Sequence, residues 1–182
     1  MTAIIIIAAV ALIAFWVIGI QNKLVKVDEL CKNALKQINV QQVSRYDALK
    51  ALVKLTREYA TYESETLEKV IAQRKITAAA NPSVDDINAN EAALQAMSAK
   101  LIAIAEQYPD LKANQNYQQV MNDIKQYEEN VRLSRMTFND TVTKYNNQVR
   151  MFPGSVVAGI LGFAKRDYLA DEPAKKDYPD II

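Results

Sequence analysis

The 62 consecutive residues from Ile20 to Asn81 contain neither glycine nor proline. Sheets and turn-rich folds need those residues to reverse direction, so an uninterrupted run of this length reads as helix. Punctuation elsewhere is equally sparse. Glycine occurs at Gly19, Gly154, Gly159 and Gly162, and proline at Pro82, Pro109, Pro153, Pro173 and Pro179. The prolines cut the chain beyond residue 20 into stretches 20–81, 83–108, 110–152 and 154–172, each with helical rather than alternating hydrophobicity. The expected fold is all-α, an antiparallel bundle of about four helices whose longer members are coiled-coil-like.

Apolar seams support this reading. In the first stretch Leu24, Cys31, Ile38, Leu52 and Tyr59 fall on a seven-residue spacing, with Val27, Ala34, Ala48, Leu55 and Tyr62 between them. Arg45 occupies a position of the same seam. The second stretch opens with Pro82, Ser83 as N-cap and Asp86 three residues on, then carries Ile87, Leu94, Met97, Leu101 and Ile104. The third repeats Tyr117, Ile124, Val131, Phe138, Tyr145 and Phe152, with Met121, Val142 and Val149 on the adjoining edge. Between these two, Pro109 disfavours helical geometry at Tyr108, and Asn114 or Asn116 can cap a helix starting at Tyr117, which makes EQYPDLKANQNY a corner. The fourth, GSVVAGILGFAKRDYLA, is short and mostly apolar.

Ahead of the bundle, AIIIIAAVALIAFWVIGI (residues 3–20) contains no charge and no amide. At 1.5 Å per residue it is about 27 Å long, close to the hydrocarbon thickness of a bilayer. No Lys or Arg precedes it and no small-x-small cleavage site follows, so a retained N-terminal transmembrane helix is expected rather than a cleaved signal. Lys23, Lys26, Lys32 and Lys36 follow the stretch, so a single-pass anchor with the bundle on the cytoplasmic side is expected. The expected organisation is an anchor over 1–21, a bundle over 22–172 and a tail over 173–182.

Composition narrows the function classes. Twenty-two basic residues face twenty-one acidic ones, and a net charge of +1 creates no field to recruit nucleic acid. The absence of histidine and the single cysteine, Cys31, remove disulfide frameworks, Cys/His zinc sites and histidine-activated nucleophiles. Di-metal carboxylate sites of helical bundles use Glu-x-x-His pairs that this chain lacks. The glycines of GSVVAGILGF follow no strand and precede no Lys-Ser/Thr, so they form no phosphate loop. No catalytic residue, cofactor or metal is expected.

QNKLVKVDELCKNALKQINVQQVSRYDALKALV, EQYPDLKANQNYQQV, FPGSVVAGILGF and DYLA occur in an order and at spacings that resemble the bacterial LemA family over Asn22 to Tyr178. The most specific elements are Tyr108-Pro109-x-Leu111-Lys112-Ala113-Asn114, Arg135-x-x-Phe138-Asn139-Asp140 and Phe152-Pro153. The resemblance implies one N-terminal membrane anchor, an all-α antiparallel bundle and no enzymatic activity. Where the family often has tryptophan and proline along the first helix this chain has Leu35 and Lys50, which leaves a mid-helix kink open.

Three groups of residues are candidates for interaction. Arg45, with Tyr46 and Asp47, places a guanidinium on an apolar seam; it is either paired inside the bundle or snorkels to solvent. Arg135, Asn139 and Asn146 form a second group, the two asparagines each following a seam aromatic seven residues apart, as a polar layer or as exposed flanks. Tyr108, Pro109, Lys112 and Asn114 form the corner. Gly159, Ile160 and Phe163 of the last helix are expected to form an assembly surface, because that helix carries more apolar surface than one buried side needs. The function expected is that of a scaffold that self-associates as a homo-oligomer and organises partners or membrane at the bilayer. The alternative is a tethered adaptor or sensor that binds a protein segment.

Overall fold

The apolar stretch and the first seam are one continuous helix, α1 (Thr2–Tyr59, 58 residues), in the computed structural model, which describes residues 1–60 and 80–170. At 1.5 Å per residue α1 is about 87 Å long. Residues 61–79 of the expected first stretch lie outside the described residues. Next comes α2 (Val84–Ala105), opened by the expected cap: Ser83 Oγ accepts from the Asp86 N–H at 3.1 Å while Asp86 Oδ2 accepts from the Ser83 N–H at 2.8 Å. This reciprocal pairing satisfies two backbone donors that the helix start would otherwise leave open. The corner contains a single extra turn, α3 (Pro109–Ala113), with the proline in the first turn where its missing N–H costs nothing. Asn114 then caps α4 (Gln115–Arg150), its Oδ1 accepting from the N–H groups of Asn116 and Tyr117 at 2.8 and 3.3 Å. The short α5 (Gly154–Leu161) completes an all-helical set, with no strand among the described residues.

Three hydrophobic clusters stacked along α1 define the packing. Leu24 joins Val157 and Ala158 of α5. Cys31, Ala34, Leu35 and Ile38 join Ile87, Val131, Phe138, Val142 and Tyr145. Leu49, Leu52 and Val53 join Leu94, Met97, Leu101, Tyr117 and Ile124. Residue numbers rise along α1 and α2 together and fall along α4, so α2 runs parallel to α1 and α4 antiparallel to both.

Two boundaries differ from the periodic reading. Helix α4 ends at Arg150, and Met151 leaves helical geometry with ψ at 140°. Phe152, the last member of the seven-residue series, therefore leaves the seam and is 80% exposed. The restart needs glycine: a Cβ on Gly154 would lie 2.2 Å from the carbonyl oxygen of Gln148. The fourth helix, expected over 154–172, stops at Leu161, because Gly162 adopts the left-handed conformation (φ 78°) and the Phe163 N–H turns back to the Ala158 carbonyl at 2.9 Å. A left-handed glycine followed by such a bond is a common helix stop. Residues 163–170 are not helical.

Candidate functional site

Arg45 is buried, with 1% of its surface exposed. Its Nη1 donates to Glu91 Oε1 at 2.8 Å, and Nη2 lies 3.8 Å from the half-exposed Glu128 carboxylate. Glu91, also buried, accepts from Gln42 Nε2 on its other oxygen at 3.1 Å and from Gln95 Nε2 at 3.3 Å. Gln42 donates as well to the Ile87 carbonyl at 3.0 Å. A charged layer thus ties α1 to α2 and reaches α4. Glu91 and Gln42 went unnoticed in the sequence, although a signal existed for each. Glu91 sits on the same face as Ile87 and Leu94, four residues after one and three before the other; Gln42 is midway between Leu35 and Leu49 on a second seven-residue line. Tyr46 and Asp47 take no part in the layer. Tyr46 packs against the outer core with Lys50 Nζ 5.0 Å from its ring centre, and Asp47 pairs with Lys50 on the surface at 3.0 Å.

The second polar group holds the chain's return. Asn146 donates from Nδ2 to the Arg166 carbonyl and accepts the Arg166 N–H on Oδ1, both at 2.9 Å. Asn139 repeats the arrangement on Leu169, at 3.2 and 3.0 Å. Each side-chain amide therefore behaves as a strand neighbour would, satisfying both backbone groups of one residue. The spacing explains the match. Seven residues of helix rise about 10.5 Å, and three residues span at most about 10–11 Å when fully extended. Residues 166–169 must therefore lie nearly extended, antiparallel to α4, as a strap. Arg135 secures its far end, Nη2 donating to the Ala170 carbonyl at 2.6 Å and both terminal nitrogens reaching Asn88 Oδ1 of α2 at 3.5 Å.

Arg166 adds an ionic anchor. Its Nε and Nη2 both reach Asp28 Oδ1 at 2.7 Å, its guanidinium carbon stands 5.7 Å from the Tyr145 ring centre, and Lys32 Nζ is 3.1 Å from the other Asp28 oxygen. Burial raises the Asp28 pKa, but hydrogen bonds and charge from Arg166 and Lys32 outweigh it and hold the carboxyl below its ordinary value. Burial likewise pushes the Cys31 thiol up, with Arg166 opposing, so its reactive thiolate form is disfavoured. Leu169 is buried in the same cluster as Cys31, Leu35 and Phe138.

The corner residues are placed by architecture. Leu111 is buried, Tyr108 half-buried, and Pro109 and Lys112 are exposed. Both ends of the Asn114 amide are used inside the chain, Oδ1 as the α4 cap and Nδ2 donating to the Tyr59 hydroxyl at 2.8 Å. At the other end of the bundle, Ile160 is 78% exposed and Gly159 has nothing within 4 Å of a Cβ, while Phe163 packs partly into the core.

Residues 34–182 match the family model described as the LemA family. A protein named LemA from Metamycoplasma hominis is 27% identical over 154 residues, 84% of this chain and 69% of that protein. Magnetosome protein MamQ 2 of Paramagnetospirillum magneticum is 28% identical, and Magnetosome protein MamQ of Magnetospirillum gryphiswaldense 31% identical, each over 75 residues, 41% of this chain. The chain spans 28% of the length of these magnetosome relatives.

Proposed function

The chain belongs to the LemA family, and from that premise we propose that it is a membrane-anchored helical scaffold, which self-associates and holds partners or membrane in place at the bilayer surface. The observation that carries this reading is the continuity of α1. Its N-terminal third is long and apolar enough to cross a membrane and none of that span is buried within the chain, while the rest of the same helix forms one wall of the bundle. A helix without a break transmits position rigidly, and the bundle it carries is cross-tied by the Arg45–Glu91 layer and by the strap. The domain organisation proposed is an anchor over 1–21, the bundle to residue 172 and a short tail, with the bundle on the cytoplasmic side of a bacterial inner membrane because of the lysines after the apolar stretch. Val40, Leu133 and Met136, exposed on the bundle's flanks, are available for lateral contact between copies. The adaptor reading is weaker at the corner, because the Asn114 amide that a captured segment would use is already bonded within the chain. Cross-linking in native membranes followed by subunit counting of the detergent-extracted full chain tests the scaffold. A ladder of homomers is expected. A monomer carrying one stoichiometric foreign protein would replace the scaffold with the adaptor.

A further inference from the structure

We propose that the turn from α4 into α5 is a second membrane contact, seated in the interfacial layer of the bilayer beside the anchor. Met151, Phe152, Val156, Ile160 and Leu161 are exposed by 65, 80, 54, 78 and 44%. Helix α5 contains no charged residue, and Ser155 is its sole polar side chain. An apolar cluster of this kind needs a cover.

Packing sets the height of the cluster relative to the membrane. Val157 and Ala158 are buried in one cluster with Leu24, against which Val17 and Ile20 of α1 also pack. If Ile20 marks the end of the apolar span, Val17 lies about 4.5 Å inside the hydrocarbon edge and Leu24 about 6 Å outside it. The headgroup region adds roughly 5–7 Å on each side of the hydrocarbon, so α5 is held at that depth by its own core contacts. Its outward apolar residues therefore continue the lipid-facing surface of α1. Between the two runs a niche of about 310 Å³ lined by Ile20, Lys23, Gln148, Met151, Phe152 and Pro153. Lys23 places a cation beside an apolar recess, the combination that a lipid presents in reverse as a phosphate above acyl chains. In the sequence, basic character near α5 was confined to Lys165 and Arg166; the fold brings Lys23 to it. A second copy could also cover apolar side chains, but continuity with the anchor favours lipid.

The inference rests on α1 spanning the membrane, and the chain's single tryptophan, Trp16, allows the two to be tested separately. The full-length protein is reconstituted into vesicles of phosphatidylethanolamine and phosphatidylglycerol, with lipids brominated near the glycerol end or near the middle of the acyl chain. Trp16→Phe combined with Phe152→Trp moves the reporter to a position exposed enough to accept an indole, and Ile160→Trp in the same background gives an independent reading. For both variants, blue-shifted emission quenched more by the shallow bromines than by the deep ones is expected. Water-like, unquenched emission from both while the native Trp16 is quenched would overturn the second contact and leave the anchor standing. Unquenched emission whose blue shift depends on the protein-to-lipid ratio would assign the cluster to a second copy instead, which also overturns it. If Trp16 itself escapes quenching, the anchor fails and this contact with it.

Discussion

Removing either partner of the Arg45–Glu91 pair should destabilise the bundle unequally, with Glu91→Leu the more damaging. Stranding one member of a buried pair typically costs 3–5 kcal/mol. After Glu91→Leu the guanidinium, 1% exposed, keeps only the Glu128 carboxylate at 3.8 Å among the described residues, and a guanidinium cannot shed its charge. Glu128 is 43% exposed and compensates weakly, so the low end, about 3 kcal/mol, is the expected cost. After Arg45→Met the carboxylate keeps the amide donors of Gln42 and Gln95, so a smaller cost of about 1–2 kcal/mol is expected. In a chain of this length a kilocalorie corresponds to about 2–4 °C, which gives drops of roughly 6–12 °C and 2–8 °C. The double variant Arg45→Met with Glu91→Leu replaces the pair by apolar side chains and should recover most of the loss, since such replacements are often neutral. Thermal unfolding of the full chain in lipid nanodiscs, followed by helical circular dichroism, measures all three variants. Additive losses in the double variant, or a Glu91→Leu cost smaller than that of Arg45→Met, would refute the assignment of Glu91 as the principal counter-charge.

The strap should yield at one clamp at a time. Asn146→Ala removes both bonds to Arg166, worth about 1–3 kcal/mol together, so hydrogen exchange at the Arg166 amide should speed up about 10- to 100-fold with a smaller change at Leu169, which Asn139 holds. Equal acceleration at both amides would mean that the strap opens as a unit. Because the folded Asp28 carboxyl lies below its ordinary value of about 3.9, its contribution is complete above that pH and is lost as pH falls through the lower folded value. Strap protection should therefore drop in that acid range, whereas Asp28→Asn should start with less protection at neutral pH and show no such step. For topology, a cysteine substituted at exposed Lys112 should react with a membrane-impermeant reagent only after cells are opened; labelling of intact cells would place the bundle outside.

Local patterns in this sequence determined the elements and their buried faces. The run without glycine or proline lies in α1 as far as Tyr59, the seven-residue series became the facing seams of α1 and α4, and Ser83 with Asp86 became the start of α2. These features rest on interactions within one or two helical turns, which residue spacing specifies directly. Which polar group meets which was decided only by the tertiary structure. Arg45 on a seam announced a buried charge, but its partner is 46 residues away in sequence, on a helix whose parallel direction no periodicity encodes. Asn139 and Asn146 announced one polar edge of α4, yet their partners are backbone groups, which every residue carries and no side-chain pattern marks. The end of α5 lay between these cases. Gly162 could have been read as a helix stop, but it was masked by the apolar Phe163 and Ala164 beyond it, and the left-handed turn is favoured once Leu169 finds the core and α4 offers two amides to an extended chain.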